Sequence, residues 1–258
     1  MAAISDQFYQ CIRCAADIIR GSQYAIALTG AGISTPSGIP DFRSPTSGLW
    51  ERYDPFEVAS LDAFRYHPEK FYNWMRPLAR NIHLALPNPA HIALARLQES
   101  GYLKAIITQN IDGLHQRAGS QKVLEVHGSL QTLTCVGCYR QRDAAEFVEA
   151  YIERGEIPVC PQCKSLLKPD VVLFGEQLPA RTWLQAKESI NHCDLMIVAG
   201  SSLEVLPVAG LPMRAVENGA HLIIINQSET YIDIRADVVL TEDVAITIPG
   251  IVQEVLGD

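Results

Sequence analysis

Two pairs of cysteines carry the most specific chemistry in this sequence. Cys135-Val136-Gly137-Cys138 and Cys160-Pro161-Gln162-Cys163 each place two thiols on one tight turn, and residues 139–159 separate them. Two such turns complete a tetrahedral sulfur site with metal–sulfur bonds of about 2.3 Å. Gly137 and Pro161 suit the turns. Four thiolates leave no open coordination position, so the spacing predicts a structural zinc rather than a catalytic one. A pair of redox disulfides is the alternative. Cys11-Ile12-Arg13-Cys14 repeats the spacing without a second pair and sits in a helical pattern; it reads as packing, as does Cys193.

A second kind of chemistry begins at Gly30-Ala31-Gly32-Ile33-Ser34, directly after the apolar run 24–29. Two glycines one residue apart let the backbone turn sharply and approach a ligand closely. The usual dinucleotide fingerprint then enters a helix. Here Pro36, Gly38 and Pro40 exclude a regular helix. The turn instead opens into a loop bearing an acid, an aromatic face and a guanidinium: Asp41, Phe42 and Arg43. This is a nucleotide pocket with a reactive end built from a loop.

Further polar residues gather after apolar runs. Gln109, Asn110 and Asp112 follow the run at 105–108, where ligands of open α/β sheets bind. An amide can hold a carboxamide or a water and a carboxylate can hold ribose hydroxyls, although Asn and Asp are also ordinary turn residues. His127 precedes Gly128 at the end of the run from Val123. A neutral imidazole, with an unperturbed pKa of about 6.5, is the natural base near neutral pH. A histidine without a catalytic role is the competing reading, and the preferred one for His67, His83, His91, His115, His192 and His221. Gly200-Ser201-Ser202 reads as a second phosphate or ribose contact, and Asn226-Gln227-Ser228 follows the next strand, with Asn226 as a ribose contact. Residues 168–176 form an extended segment ended by Gly175, whose free edge could pair with a peptide.

The elements that must position these groups follow from periodicity. Residues 25–28, 105–108, 194–199, 221–226 and, more weakly, 238–240 are rich in Ile, Val and Leu with little alternation, as in a parallel sheet covered on both faces. Asn88-Pro89 starts a helix that Gly101 stops, and Pro207 opens one that Gly219 stops. The alternation implies an α/β fold: a Rossmann-like doubly wound parallel sheet with a smaller inserted zinc-ribbon and helical module. The expected division is a discontinuous nucleotide-binding domain (1–34, 87–128 and 170–258), a cofactor-binding loop with a helical insert (35–86), and a zinc-binding insert (129–169). Across the 258 residues, 48% hydrophobic and 19% charged content fits a globular core, and a net charge of −8 argues against a nucleic-acid surface. No apolar run reaches the roughly 18 residues of a membrane span. Residues 1–20 read as an amphipathic helix rather than a signal peptide. An odd count of seven cysteines then points to a reducing, cytoplasmic setting.

Taken together, GAGIS…GIPDFR from Gly30, TQNIDGLHQRAG from Thr108, VHG from Val126, the two cysteine pairs, KPDVVLFGE from Lys168, GSSLEVLP from Gly200 and INQ from Ile225 resemble the sirtuins, NAD-dependent protein-lysine deacylases. The resemblance implies a cleft between two domains that takes NAD and an acyl-lysine protein or peptide. By that resemblance His127 is the base and Gln109, Asn110, Ile111 and Asp112 surround the nicotinamide and its ribose. Gly30, Ala31, Gly32, Ile33, Asp41, Phe42, Arg43 and Trp50 belong to the cofactor loop. Gly200, Ser201, Ser202, Asn226, Gln227, Ser228, Asp243 and Val244 serve the phosphate and adenosine end. Val172, Leu173, Phe174, Gly175 and Glu176 pair with the peptide. The implied chemistry is attack of the acyl-lysine oxygen on the nicotinamide ribose, loss of nicotinamide, and His127-assisted transfer of the acyl group to ADP-ribose.

Relatives preferring succinyl or malonyl groups carry Tyr-x-x-Arg on a helix of the small module. Here Tyr72 is followed by Met75 in place of that Arg, and Arg76 stands about 100° further round a helix. Met75 and Trp74 instead suggest an apolar acyl pocket that favours acetyl and extends to longer apolar chains, with Tyr72 and Met75 expected at the substrate. Two rival readings are mono-ADP-ribosyl transfer from the same pocket and a non-enzymatic NAD-binding or zinc-ribbon interaction module. No direct nucleic-acid or membrane partner is expected.

Overall fold

The computed structural model describes residues 6–42 and 48–257. Its strands are β1 (Ala25–Thr29), β2 (Leu103–Thr108), β3 (Val123–Glu125), β4 (Gly128–Cys135), β5 (Gln141–Asp143), β6 (Leu167–Val171), β7 (Leu195–Ala199), β8 (His221–Ile225) and β9 (Val238–Leu240). Six of them form one parallel sheet in the order β3-β2-β1-β7-β8-β9. Chain direction across the sheet reverses its order beside β1, where β2 lies on one side and β7 on the other. That is the switch point at which open α/β sheets bind ligands.

Side chains alternate between the two faces with the strand period of two. Ala25, Ala27, Leu195, Ile197, Ile223 and Ile225 face one cluster with Ile12, Leu94 and Ile251. Those three belong to helices α1 (Asp6–Gly21), α5 (Pro89–Glu99) and α9 (Val244–Leu256). Ile26, Leu28, Met196, Val198, Leu222 and Ile224 face the other, with α7 (Ala180–His192) and α8 (Leu211–Glu217). Burial on both faces explains the absence of polar alternation in the strand sequences. Each large side chain so enclosed contributes about 2 kcal/mol.

Helix ends follow the expected punctuation, with one change. Asn88 accepts from the Ala90 amide at 2.9 Å, His91 Nδ1 accepts from the Asn88 amide at 3.3 Å, and Pro89 occupies the first turn, so α5 starts there. The helix expected from Pro207 is divided. A 3₁₀ turn covers Val208–Gly210 and the α-helix restarts at Leu211. Pro212 is the reason: it lacks an amide proton and fits only a first helical turn. After the glycine turn, short 3₁₀ segments at Ala31–Ile33 and Thr35–Ser37 replace the usual helix.

Residues 48–86 add α2 (Pro55–Val58), α3 (Leu61–Tyr66) and α4 (Pro68–Leu84). Strands β5-β4-β6 form a separate antiparallel sheet. The helices and this sheet share one core, in which Phe64, Phe71, Tyr72 and Met75 meet Tyr151, Ile152 and Val171. The Tyr72 hydroxyl donates to the Leu167 carbonyl, and the Tyr151 hydroxyl donates to the Tyr72 carbonyl at 2.5 Å. Arg76 turns away from the core and donates to the carbonyls of Ile152 and Glu153, both at 2.9 Å.

Candidate active site

One cavity of about 1110 Å³ runs along the carboxyl ends of β1, β2, β7 and β8 and continues between the sheet and the insert. It exceeds the range of about 300–1,000 Å³ usual for a single small-molecule site. There is room for a dinucleotide and part of a second substrate.

Its floor is a glycine interlock. The Gly30 amide donates to the Ala199 carbonyl at 3.2 Å and the Gly32 amide to the Gly200 carbonyl at 2.9 Å. Gly200 has φ +60, and a Cβ there would lie 2.2 Å from the Ile33 nitrogen. The turns after β1 and β7 thus touch backbone to backbone. Gln109 Nε2 donates to Ser201 Oγ at 2.8 Å and joins β2 to β7 above them.

Behind this floor lies a buried polar network. Ser34 Oγ donates to Asp112 Oδ2 at 2.7 Å, accepts from Asn110 Nδ2 at 3.0 Å and stands 3.4 Å from His91 Nε2. Because His91 Nδ1 accepts from an amide, its proton sits on Nε2, facing Ser34. His115 Nε2 lies 2.9 Å from Thr29 Oγ1, which donates to Thr108 Oγ1 at 2.9 Å. Burial pushes His91 down to about 4, opposed by the Asp112 charge, and pushes His115 down to about 3, with His91 adding to the effect. Both rings are therefore neutral: His91 backs Ser34, which binds Asn110 and Asp112, and His115 backs Thr29 and the His91 ring. Their residue types carried no signal for this, since the network joins four separate chain segments.

His127 Nδ1 lies 3.1 Å from the Gln109 carbonyl. A carbonyl only accepts, so Nδ1 carries the proton and Nε2 holds the basic lone pair. His127 and the polar trio line the same cavity.

The structure brings most of the expected residues together. Gly30, Ala31, Gly32, Asp41, Phe42, Trp50, Gln109, Asn110, Ile111, Asp112, Gly200, Ser201, Ser202, Asn226, Gln227, Ser228, Asp243 and Val244 all line the cavity. Asp243 also caps α9, accepting from the Ala245 amide at 2.8 Å. Met75, Val172, Leu173, Phe174, Gly175 and Glu176 line the insert side, beside Ile39, Trp74, Leu78 and Ile82. Phe42 and Trp50 lie 5.1 Å apart, and Trp50 stacks on Trp74 at 5.9 Å. Two expectations need correction. Ile33 is fully buried in the sheet core, and Tyr72 is 2% exposed with its hydroxyl spent on Leu167; neither lines the cavity. A side chain committed to packing between modules cannot also face an acyl group. Arg43 lies outside the described residues. The edge at 172–176 is also half used. Val172 donates to the His127 carbonyl at 2.8 Å, and Phe174 exchanges hydrogen bonds with Ala59 and Leu61 at 3.0 Å each.

The four cysteine sulfurs lie within 4.8 Å of one another. Cys138 and Cys160 sulfurs are 3.8 Å apart, the edge of a tetrahedron with bonds of about 2.3 Å. Each pair is the same turn: Tyr139 donates to the Cys135 carbonyl and Lys164 to the Cys160 carbonyl, both with positive φ. The donor set fits zinc.

A parallel sheet with a glycine turn at its switch point, a polar trio and a histidine lining one cavity, and a four-cysteine ribbon together define an enzyme class with a two-part cleft. Comparison with known proteins agrees. The Sir2 family model matches residues 30–207. An NAD-dependent protein deacylase 2 of Archaeoglobus fulgidus is 49% identical over 95% of this chain and 96% of its own. A solved Sir2 enzyme, 48% identical, superposes with a TM-score of 0.90 over 96% of this chain and 98% of its own. A second, solved with a myristoylated histone peptide, is 43% identical with a TM-score of 0.82 over 95% and 96%. The chain belongs to the Sir2 family.

Proposed function

We propose that this protein removes acyl groups, acetyl above all, from lysine side chains of proteins, consuming NAD and giving nicotinamide and O-acyl-ADP-ribose. The observation that carries this is the setting of His127: its Nδ1 is committed to the Gln109 carbonyl, which makes Nε2 the basic nitrogen, and the residue lines the cavity shared with Asn110 and Asp112. NAD supplies an electrophilic ribose carbon and a neutral leaving group. Residues 30–32 and 200–202 hold its phosphates, Asn226, Gln227, Ser228, Asp243 and Val244 its adenosine end, and Gln109, Asn110, Ile111 and Asp112 its nicotinamide end. Phe42 and Trp50 exclude water from the reacting face, with Asp41 lining the same cavity. His127 takes the ribose hydroxyl proton.

Met75, with Ile39, Trp74, Leu78 and Ile82, forms the apolar wall reached by the acyl chain, and no cation stands among these residues. That wall favours acetyl and longer apolar chains over succinyl. The domain division at 1–34, 87–128 and 170–258 against 35–86 and 129–169 is supported by the two separate sheets, with β4 and β6 reaching one or two residues past the proposed limits. A structural zinc on Cys135, Cys138, Cys160 and Cys163 stabilises the ribbon. Metal binding needs reduced thiols, which supports a cytoplasmic location. Among the described residues no helix is long and apolar enough to cross a membrane.

The test is nicotinamide release from NAD with a panel of acyl-lysine peptides. Release coupled to deacylation, fastest with apolar acyl groups, is expected. ADP-ribosylated protein without deacylated peptide would refute the reading.

A further inference from the structure

Lys168 and Glu176 form the least exposed ion pair among the described residues, at 16% and 21%; Lys70–Glu57 and Arg154–Glu156 are at least half exposed. The ammonium has three protons, and each has an acceptor. Lys168 Nζ donates to the Pro169 carbonyl at 3.1 Å, the Val171 carbonyl at 2.9 Å and Glu176 Oε2 at 2.9 Å. Glu176 Oε2 also accepts from the Leu173 amide at 2.9 Å, and the Glu176 amide returns a bond to the Leu173 carbonyl at 2.9 Å. The pair therefore closes a ring within residues 168–176, the segment whose last six residues wall the cavity.

Desolvating two charges in this way is weak support for stability, because attraction and desolvation nearly cancel; the best-attested use of such a pair is to fix register. Its hydrogen bonds show how. The clip occupies the Val171 carbonyl and the Leu173 amide. The Phe174 amide and carbonyl are held by Ala59 and Leu61, and the Val172 amide by His127. Among the described residues the Val172 carbonyl and the Gly175 amide make no hydrogen bond. With most of the segment's other groups engaged, the registers open to a pairing peptide strand are restricted. A slip of one residue turns every side chain to the opposite face, which would aim the acyl-lysine away from His127.

We propose that the Lys168–Glu176 pair is a positioning clip that sets the register of the substrate strand relative to His127, with neither residue touching the reacting atoms. This rests on the reading that an acyl-lysine peptide adds as a strand at residues 172–176.

The test compares two substrates: an eleven-residue acetyl-lysine peptide, and acetyl-lysine blocked at both ends, which has no strand to align. The parent protein is expected to prefer the peptide in kcat/KM by about tenfold or more, since a preorganised edge recovers binding that a disordered one loses. Lys168→Met and Glu176→Gln should each reduce that preference about tenfold, mainly through peptide KM, with ADP-ribose affinity within about twofold. Should a single variant not fold, the double variant Lys168→Met/Glu176→Leu, which buries no unpaired charge, should show the same loss. Variants that keep the parent preference while melting earlier would overturn the clip and leave the pair as a stabilising element. A parent protein with no preference for the peptide would overturn the strand-pairing reading itself.

Discussion

Acidification should unfold this protein from beneath its active site. His91 and His115 meet edge to face at 4.9 Å and are 0% and 1% exposed. In the fold burial lowers them to about 4 and about 3 from the ordinary imidazole value of 6.5. A base whose folded pKa is lowered binds fewer protons folded than unfolded. Its contribution is therefore complete above the unfolded pKa and is lost as pH falls from there toward the folded value. One proton of difference changes stability by about 1.4 kcal/mol per pH unit. His115 alone then removes on the order of 3 kcal/mol between pH 6.5 and pH 4. The assay is urea unfolding at several pH values between 5 and 6, for the parent protein and for His115→Leu. In that window the unfolded imidazole is mostly protonated and the folded one is not. The parent slope should exceed the variant slope by roughly 1 kcal/mol per pH unit. Loss of the Thr29 contact costs the variant about 1 kcal/mol at every pH and does not alter the slope. Equal slopes would show that His115 is protonated in the fold and would undo the account of the network.

His127→Ala should abolish deacylation while NAD still raises the melting temperature, and near-parental turnover would remove His127 from the base role. Gly200→Ala should weaken ADP-ribose binding at least about tenfold in calorimetry, because its Cβ meets the Ile33 nitrogen at 2.2 Å and φ is +60; an unaltered affinity would contradict the interlock. Cys160→Ser should release zinc, read by metal analysis, and lower the melting temperature, whereas full zinc content would place the metal elsewhere. Acetyl-lysine peptides should outpace succinyl-lysine peptides, and Met75→Arg should narrow the gap by placing a cation on the apolar wall; comparable rates in the parent protein would refute the acyl preference.

The strands at 25–29, 195–199 and 221–225 were legible because burial on both faces forces an unbroken apolar run. The zinc ribbon was legible because four sulfurs need two fixed turns. The glycine turn was legible through its prolines, since Pro36 and Pro40 rule out the ordinary helix. Tyr72 was misplaced because a Tyr at helical spacing has two polar outlets, a ligand or a neighbouring carbonyl, and spacing cannot choose between them. The roles of Ser34, His91 and His115 arise only when β1, β2, α5 and the turn after Gly113 converge. No local pattern encodes that convergence. Lys168 and Glu176 stood in a recognised segment, but their mutual bond depends on the chain doubling back through Gly175, whose φ is +90.

The contact between the turns after β1 and β7 has a consequence for how this protein can change. Where two side chains clash, a second substitution can trim the neighbour. At Gly30, Gly32 and Gly200 the neighbours a Cβ would strike are chiefly backbone atoms, joined only by Ser201 Cβ at Gly30. No partner mutation can make that room, so glycine is fixed at all three positions. Any redesign of nucleotide preference must therefore leave the turns alone and work from the far end of the cleft, at Asn226, Gln227 and Ser228, where the walls are made of replaceable side chains.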